Sequence, residues 1–307
     1  MRNINLDLVR VTEAAAIAAS QWVGSGNKLE ADKAATTALR NRLNKISFSG
    51  MIAIGEGEKD ESYGLFEGER VGIENAEEEF EFKIYDIAVD PIEGTTPTVT
   101  SGPEAISTLA ISHADTMYKT KYFYADKIAY GSKIKEKVNL SLDNTIEKNI
   151  ELISKATNKS YNNIVACVLN RPRHNELISR LRDMNVRINL IQDCDITGAV
   201  AACLPGNDID VLCGIGGAPE AVISAAAIKC LGGDLQIKIY DNSWTPKGDI
   251  LGIEDIVSGP CIFVATGITD GSMLKGVKWS SGSPVTNSVF MRSESGTIRW
   301  IEANHGN

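Results

Sequence analysis

Two apolar stretches of this 307-residue chain run straight into carboxylates. Residues 50–55 deliver Glu56, Glu58 and Asp60, and residues 84–89 deliver Asp90, then Glu93, Gly94 and Thr95. Acids at the carboxyl ends of buried strands occupy the usual place for an α/β active site. Oxygen donors in such number suit hard divalent cations, Mg²⁺ or Mn²⁺, which offset carboxylates that would otherwise repel one another. Two such cations clamp a phosphoryl group and acidify a bound water for in-line attack, and a threonine hydroxyl beside them orients that water. Taken singly, Glu56 or Asp60 reads as a solvated loop acid. Two acid-rich loops that each follow an apolar strand read together as a metal-assisted hydrolytic site.

Later segments carry groups that suit an anion. Arg171 and Arg173 follow an apolar run at 163–170. Arg173 is the stronger candidate, because a guanidinium matches phosphate oxygens in bidentate fashion. His174 beside it reads as a structural hydrogen-bonding residue. The run Gly214-Ile215-Gly216-Gly217-Ala218-Pro219-Glu220 reads as a strand-to-helix turn. Pro219 suits the first helical position, and the free N–H groups there bind anions. The spacing lacks the GxGxxG pattern, so a dinucleotide site is not expected. Glu220, in the first helical turn, faces the same anion pocket, which makes sense if it carries a cation there.

The elements that must position these groups follow from periodicity. Leu6, Val9, Ala14, Ile17 and Val23 predict an amphipathic helix over 5–23, and a second helix follows over 30–43 after a polar loop at 24–28. Strands are expected at 50–55, 84–89, 105–112 and 117–124, with an acidic loop or edge hairpin at 73–83. Beyond these, strand-like runs at 163–170, 186–191 and 209–213 alternate with helix-like runs at 174–183, 195–203 and 219–231. That alternation predicts a parallel sheet with helices on its faces. A polar Asn/Lys/Ser-rich stretch near 140–160 suggests the boundary between an N-terminal metal-binding α+β domain (1–155) and a C-terminal α/β substrate-binding domain (156–307).

Bulk composition narrows the class. At 43% hydrophobic and 23% charged the chain buries a sizeable core. A net charge of −9 argues against nucleic acid and anionic membranes as partners. No apolar run approaches the roughly 18–20 residues of a membrane span, and no leader is expected, so the default is a soluble, cytoplasmic protein. The six cysteines (Cys167, Cys194, Cys203, Cys213, Cys230, Cys261) form no CxxC pair and are expected as buried free thiols. Three histidines are too few for a nitrogen-rich metal centre.

The run Asp90-Pro91-Ile92-Glu93-Gly94-Thr95 resembles the signature of the lithium-sensitive, metal-dependent phosphatase superfamily, which includes inositol monophosphatases and fructose-1,6-bisphosphatases. Residues 52–61 (IAIGEGEKDE), 86–95 (DIAVDPIEGT), 171–174 (RPRH) and 214–220 (GIGGAPE) together resemble class II fructose-1,6-bisphosphatase, with matches in order from about residue 8 to 275. The resemblance implies a layered sugar-phosphatase α/β fold, with two sheets and helices between and around them. It implies hydrolysis of the 1-phosphate of fructose 1,6-bisphosphate with two or more Mg²⁺ or Mn²⁺ ions. By the same resemblance Asp32 and Glu56 hold one metal, and Asp90, Glu93 and Glu220 hold the others. Asp60 and Thr95 position or activate the attacking water. Lys28, Gly94, Thr95, Tyr124, Arg171, Arg173, Asp193, Asp195 and Gly217 contact the sugar bisphosphate, with Lys127 also on a position near it. A homo-oligomer, dimer or tetramer, is expected. Alternatives are sedoheptulose-1,7-bisphosphatase activity, another sugar, inositol or nucleotide phosphatase of the superfamily, and a non-catalytic metabolite-binding protein.

The chain also departs from the resemblance. Arg171 stands where Lys is frequent, and Cys194 stands where Gly is usual. The 233–260 region is shorter, the acidic insert around 74–83 is longer, and the C-terminus stops early. None of these removes an expected ligand.

Overall fold

The computed structural model describes residues 5–55, 64–73 and 84–306. Glu56, Glu58, Asp60 and the acidic stretch 74–83 lie outside the described residues. The chain opens with helices α1 (Asn5–Ser20) and α2 (Lys28–Leu43). Asn27 caps α2 by accepting the Glu30 N–H, and Ala31, Ala35, Leu39 and Leu43 form its buried stripe at four-residue spacing. Strands β1 (Ser49–Ile54), β2 (Arg70–Val71) and β3 (Ile84–Glu93) follow, then the short helix α3 (Thr95–Thr100) and β4 (Ile106–His113).

The next elements are β5 (Tyr124–Tyr130), α4 (Ser132–Lys135), α5 (Ile146–Thr157), β6 (Val165–Leu169), α6 (Asn175–Asp183) and β7 (Arg187–Ile191). After them come α7 (Asp195–Ala201), β8 (Val211–Gly217), α8 (Ala218–Leu231), β9 (Asp234–Tyr240), β10 (Pro246–Gly252) and α9 (Ile253–Ile256). The chain then adds β11 (Cys261–Gly267), β12 (Lys278–Ser280), β13 (Ser283–Arg292) and β14 (Thr297–Asn304).

These elements form two compact units, residues 1–119 with 259–307, and residues 120–258. The division therefore does not fall at 155. The stretch 140–160 holds α5, whose Ile146, Ile150, Ile153 and Ala156 belong to the core of the second unit. The chain returns to the first unit because β11 pairs antiparallel with β4 along its whole length.

Among the described residues the first unit carries an eight-stranded sheet in the order β12-β13-β11-β4-β3-β1-β2, with β14 on β13. Its β1 and β3 are parallel, and β3 and β4 antiparallel. Helix α1 packs on β3, β4, β11 and β13, and α2 packs on β3 and α3. Leu8, Leu39, Ile87 and Leu109 are fully buried in this core, each contributing about 1.5–3 kcal/mol.

The second unit carries a six-stranded sheet, β10-β9-β5-β8-β6-β7. Only β6–β7 and β6–β8 pair in parallel, whereas β5 runs antiparallel to both β8 and β9. The sheet is mixed rather than parallel because β5 inserts between β8 and β9, antiparallel to both, and β10 follows β9 as an antiparallel hairpin. The strand expected at 117–124 instead begins at Tyr124 and runs to Tyr130, carrying Lys127 into the interior at 0% exposure. The molecule is thus of the mixed α/β class, with two mixed sheets. Among the described residues no helix is long and apolar enough to cross a membrane.

Candidate active site

Along a regular strand, residues three apart face opposite sides. Asp90 and Glu93 escape this rule. Pairing between β3 and β4 steps from Asp90↔Thr108 to Glu93↔Ile106, three residues against two. The extra residue is a β-bulge, and it turns Glu93 to the face that Asp90 occupies. Pro91, which has no N–H to donate, sits where the ladder is interrupted. The Asp90 side chain accepts the Ile92 N–H through Oδ1 at 3.0 Å, which fixes the turn.

This bulge explains why β3 continues past Asp90 to Glu93 instead of ending at 89. It also brings carboxylate oxygens of Asp90 and Glu93 within 4.8 Å of each other. Glu93 is buried and Asp90 half-buried. Two full charges at that distance repel by about 3 kcal/mol at an effective dielectric near 20.

Gly94, with φ +96°, turns the chain into α3. The next residue, Thr95, donates its hydroxyl to Asp32 Oδ1 on α2 at 3.2 Å. Lys28, at the start of α2, donates from Nζ to the Thr96 hydroxyl at 2.8 Å. The first unit therefore links α2, β3 and α3 through Asp32, Thr95 and Lys28, and it sets Asp90 beside Glu93.

The second unit gathers a different set. Lys127 is buried and forms an ion pair with Asp195, which is 7% exposed at the start of α7. A Cβ at Gly216 would lie 1.9 Å from Asp195 Oδ2 and 3.0 Å from Lys127 Nζ. A Cβ at Gly217 would lie 1.7 Å from Glu220 Oε2. A side chain at either position would displace a carboxylate, so Gly216 and Gly217 leave room for these acids. Cys194, in the place of the usual Gly, has φ +68° and so keeps the left-handed turn ahead of α7.

Glu220 lies in the first turn of α8. Its Oε2 is buried with no hydrogen-bond partner among the described residues. Burial raises its pKa above the ordinary carboxylate value, opposed by the Lys127 ammonium. A buried acceptor without a donor is costly, and a cation would satisfy it.

Arg173 commits its Nε and Nη2 to the Ile215 carbonyl at 3.0 and 2.8 Å, and its guanidinium lies 5.7 Å from the Tyr124 ring centre. The neighbouring His174 takes the other side of the same residue, Nε2 accepting the Ile215 N–H at 2.7 Å. Its Nδ1 donates to the Leu169 carbonyl at 2.7 Å. That pattern assigns the neutral, Nδ1-protonated ring, and burial lowers its pKa from the ordinary value of 6.5. These bonds fall where the β6–β8 ladder, registered at Ala166↔Val211 and Cys167↔Leu212, has ended. Arg171 approaches Asp193 at only 3.9 Å. Tyr124 opens β5 directly opposite Gly217.

The second unit thus brings together Tyr124, Arg173, Asp195, Gly217 and Glu220, and it leaves Asp193 and Arg171 at the loosest contact. The central place of Lys127 is the least legible of these features. A lysine directly after an aspartate, beyond the expected end of a strand at 124, gives no signal of a buried position.

A mixed α/β chain with converging strand-end acids defines the class of metal-dependent phosphatases. The family model described as bacterial fructose-1,6-bisphosphatase, glpX-encoded, matches residues 2–305, and the chain belongs to that family. The class 2 fructose-1,6-bisphosphatase of Haemophilus influenzae is 37% identical over 328 residues, covering 99% of this chain and 96% of that protein. The D-fructose 1,6-bisphosphatase class 2/sedoheptulose 1,7-bisphosphatase of Thermosynechococcus vestitus is 38% identical over 336 residues, covering 98% and 95%. Its namesake from Synechocystis is 36% identical over 332 residues, covering 98% and 96%. The chain is an enzyme, a phosphatase.

Proposed function

We propose that this chain hydrolyses the 1-phosphate of fructose 1,6-bisphosphate, releasing fructose 6-phosphate and inorganic phosphate. The observation that carries the reading is the β3 bulge, which sets Asp90 beside Glu93 inside the motif that runs through the family match. Asp32, Glu56, Asp90, Glu93 and Glu220 would hold two or more divalent cations, Mg²⁺ or Mn²⁺. The donor set fits such ions: every group is a carboxylate, two of them converge, and Glu220 Oε2 is buried without a partner. When bound, the cations polarise phosphoryl oxygens and lower the pKa of water.

The remaining roles belong to the chain's own side chains. Thr95, held by Asp32, keeps hydroxyl lone pairs to orient the attacking water, with Asp60 as the group that takes its proton. Arg173 keeps the Nη1 edge of its guanidinium for a phosphate oxygen while its other nitrogens hold Ile215. The N–H groups at the start of α8 add donors for an anion. Lys28, Gly94, Tyr124, Arg171, Asp193, Asp195 and Gly217 complete the sugar-bisphosphate contacts.

Sedoheptulose 1,7-bisphosphate is the second substrate to weigh, because two relatives of comparable identity carry both activities in their names. A cytoplasmic location fits six free cysteines, all buried. A dimer or tetramer completes the reading, on the strength of the resemblance. The test is phosphate release from fructose 1,6-bisphosphate, sedoheptulose 1,7-bisphosphate and inositol 1-phosphate, with Mg²⁺ and Mn²⁺ in turn. Release from the first substrate, abolished by chelation, is expected. Turnover of inositol 1-phosphate alone would overturn the substrate assignment.

A further inference from the structure

Trp244 places a bulky side chain at a left-handed position of its turn. Its φ is +58°, in the left-handed region where a bulky aromatic residue is strained. The turn between β9 and β10 is built by Asp241, whose Oδ1 accepts the N–H groups of Ser243 and Thr245 at 2.9 and 3.0 Å. Lys247 closes it with an ion pair to Asp241 Oδ2 at 2.7 Å. None of these bonds uses the indole, and Trp244 remains 45% exposed. A glycine would make the same turn without strain.

The indole instead lies on Tyr124, ring centres 4.8 Å apart and planes inclined by 27°. Tyr124 stands opposite Gly217 on one side and Tyr240 on the other, and the Arg173 guanidinium lies against the same ring. An exposed indole stacked on a half-buried tyrosine, flanked by a guanidinium, is the composition of a small-molecule wall: apolar surface with a few placed polar groups. The carbon skeleton of a sugar presents C–H faces that pack on such rings, while its phosphates and hydroxyls take the polar partners.

We propose that Trp244 is a substrate-contacting specificity residue, whose ring, stacked on Tyr124, packs against the carbon chain of the sugar bisphosphate. The inference rests on the sugar-bisphosphatase reading above and adds to it a residue outside all the motifs that carry the family resemblance. Discrimination comes from the apolar surface that the indole offers to the sugar's C–H face. The left-handed residue belongs to the β9–β10 turn, and the ring it carries there stacks on Tyr124.

The test is steady-state kinetics on the full chain with Mn²⁺ and fructose 1,6-bisphosphate, for wild type, Trp244→Gly and Trp244→Phe, with melting temperatures of each. Trp244→Gly is expected to raise KM by about tenfold with kcat within about twofold, and to melt no lower than wild type because the strain is relieved. Trp244→Phe is expected to keep KM within about threefold, since a ring remains. An unchanged KM in Trp244→Gly, beside an active wild type, overturns this inference and leaves the sugar-bisphosphatase reading intact. A lowered melting temperature with kcat and KM worsening together also overturns it, because the ring then serves only packing. A wild type that releases no phosphate from any sugar bisphosphate overturns both.

Discussion

In the first unit carboxylate faces carboxylate, whereas in the second carboxylate faces ammonium. Asp90 and Glu93 are brought onto one face of β3 by a bulge. Asp195 is held by Lys127, a base from the same unit buried in the middle of β5. The difference is one of purpose. An acid held by a buried ammonium is fixed in place and positions a neighbour, while two converging acids offer adjacent oxygens to a hard cation. Glu220 stands between the two cases: it feels the Lys127 charge, yet its Oε2 has no hydrogen bond.

The largest effect that would break this contrast is on turnover. Asp90→Ala and Glu93→Ala are each expected to lower phosphate release by about a thousandfold or more, while the protein stays folded. Differential scanning fluorimetry beside the assay checks both halves, and near-normal turnover in either variant removes that residue from the site. Next in size is Lys127→Met, which strands Asp195 inside the protein and is expected to cost about 3–5 kcal/mol by denaturant unfolding. The double variant Lys127→Met/Asp195→Leu is expected to recover most of that stability without recovering activity. A cost below about 1 kcal/mol for Lys127→Met would show that the pair is not the second unit's anchor.

The clamp on Ile215 gives a smaller, pH-dependent effect. His174 is neutral in the fold and its pKa lies below the ordinary 6.5, so the unfolded chain takes up its proton first as pH falls. The stability it supplies is complete above about 6.5 and declines as pH drops through the folded-state value. His174→Gln, which cannot titrate, is expected to lack that slope. Parallel pH dependences of unfolding in both proteins would contradict the assignment.

The smallest effect belongs to the exposed Glu147–Arg180 pair, at 2.8 and 2.6 Å. Arg180 lowers the Glu147 pKa from 4.5 to about 2. Its contribution is present above 4.5 and lost as pH falls toward 2. Glu147→Gln is expected to cost under about 1 kcal/mol at neutral pH, and less in high salt.

The legible parts of the molecule are those written in local pattern. Acids after apolar runs mark Asp90 and Glu93, and Pro219 marks the start of α8 to within a residue. The bulge that makes Asp90 and Glu93 neighbours is not legible, because it lies in the pairing of β3 with β4 and not in either strand alone. For the same reason the discontinuous first unit leaves no local mark: residues 259–307 join the beginning of the chain through the β11–β4 ladder and the packing of α1 on β11 and β13, all contacts between distant segments. Lys127 is hidden by its charge, which reads as solvent-exposed until the buried partner Asp195 is known. Arg173 reads as a phosphate ligand from its chemistry. Its hold on Ile215 depends on where β8 parts from β6, which no local pattern reveals.

Manganese binding measured by electron paramagnetic resonance, on wild type, Asp90→Asn and Glu220→Gln, probes most directly whether Asp90 and Glu220 each hold a cation. The account expects at least two tightly bound ions per chain in wild type, and at least one fewer in each variant although all three proteins remain folded. Equal stoichiometry and affinity across the three would contradict it.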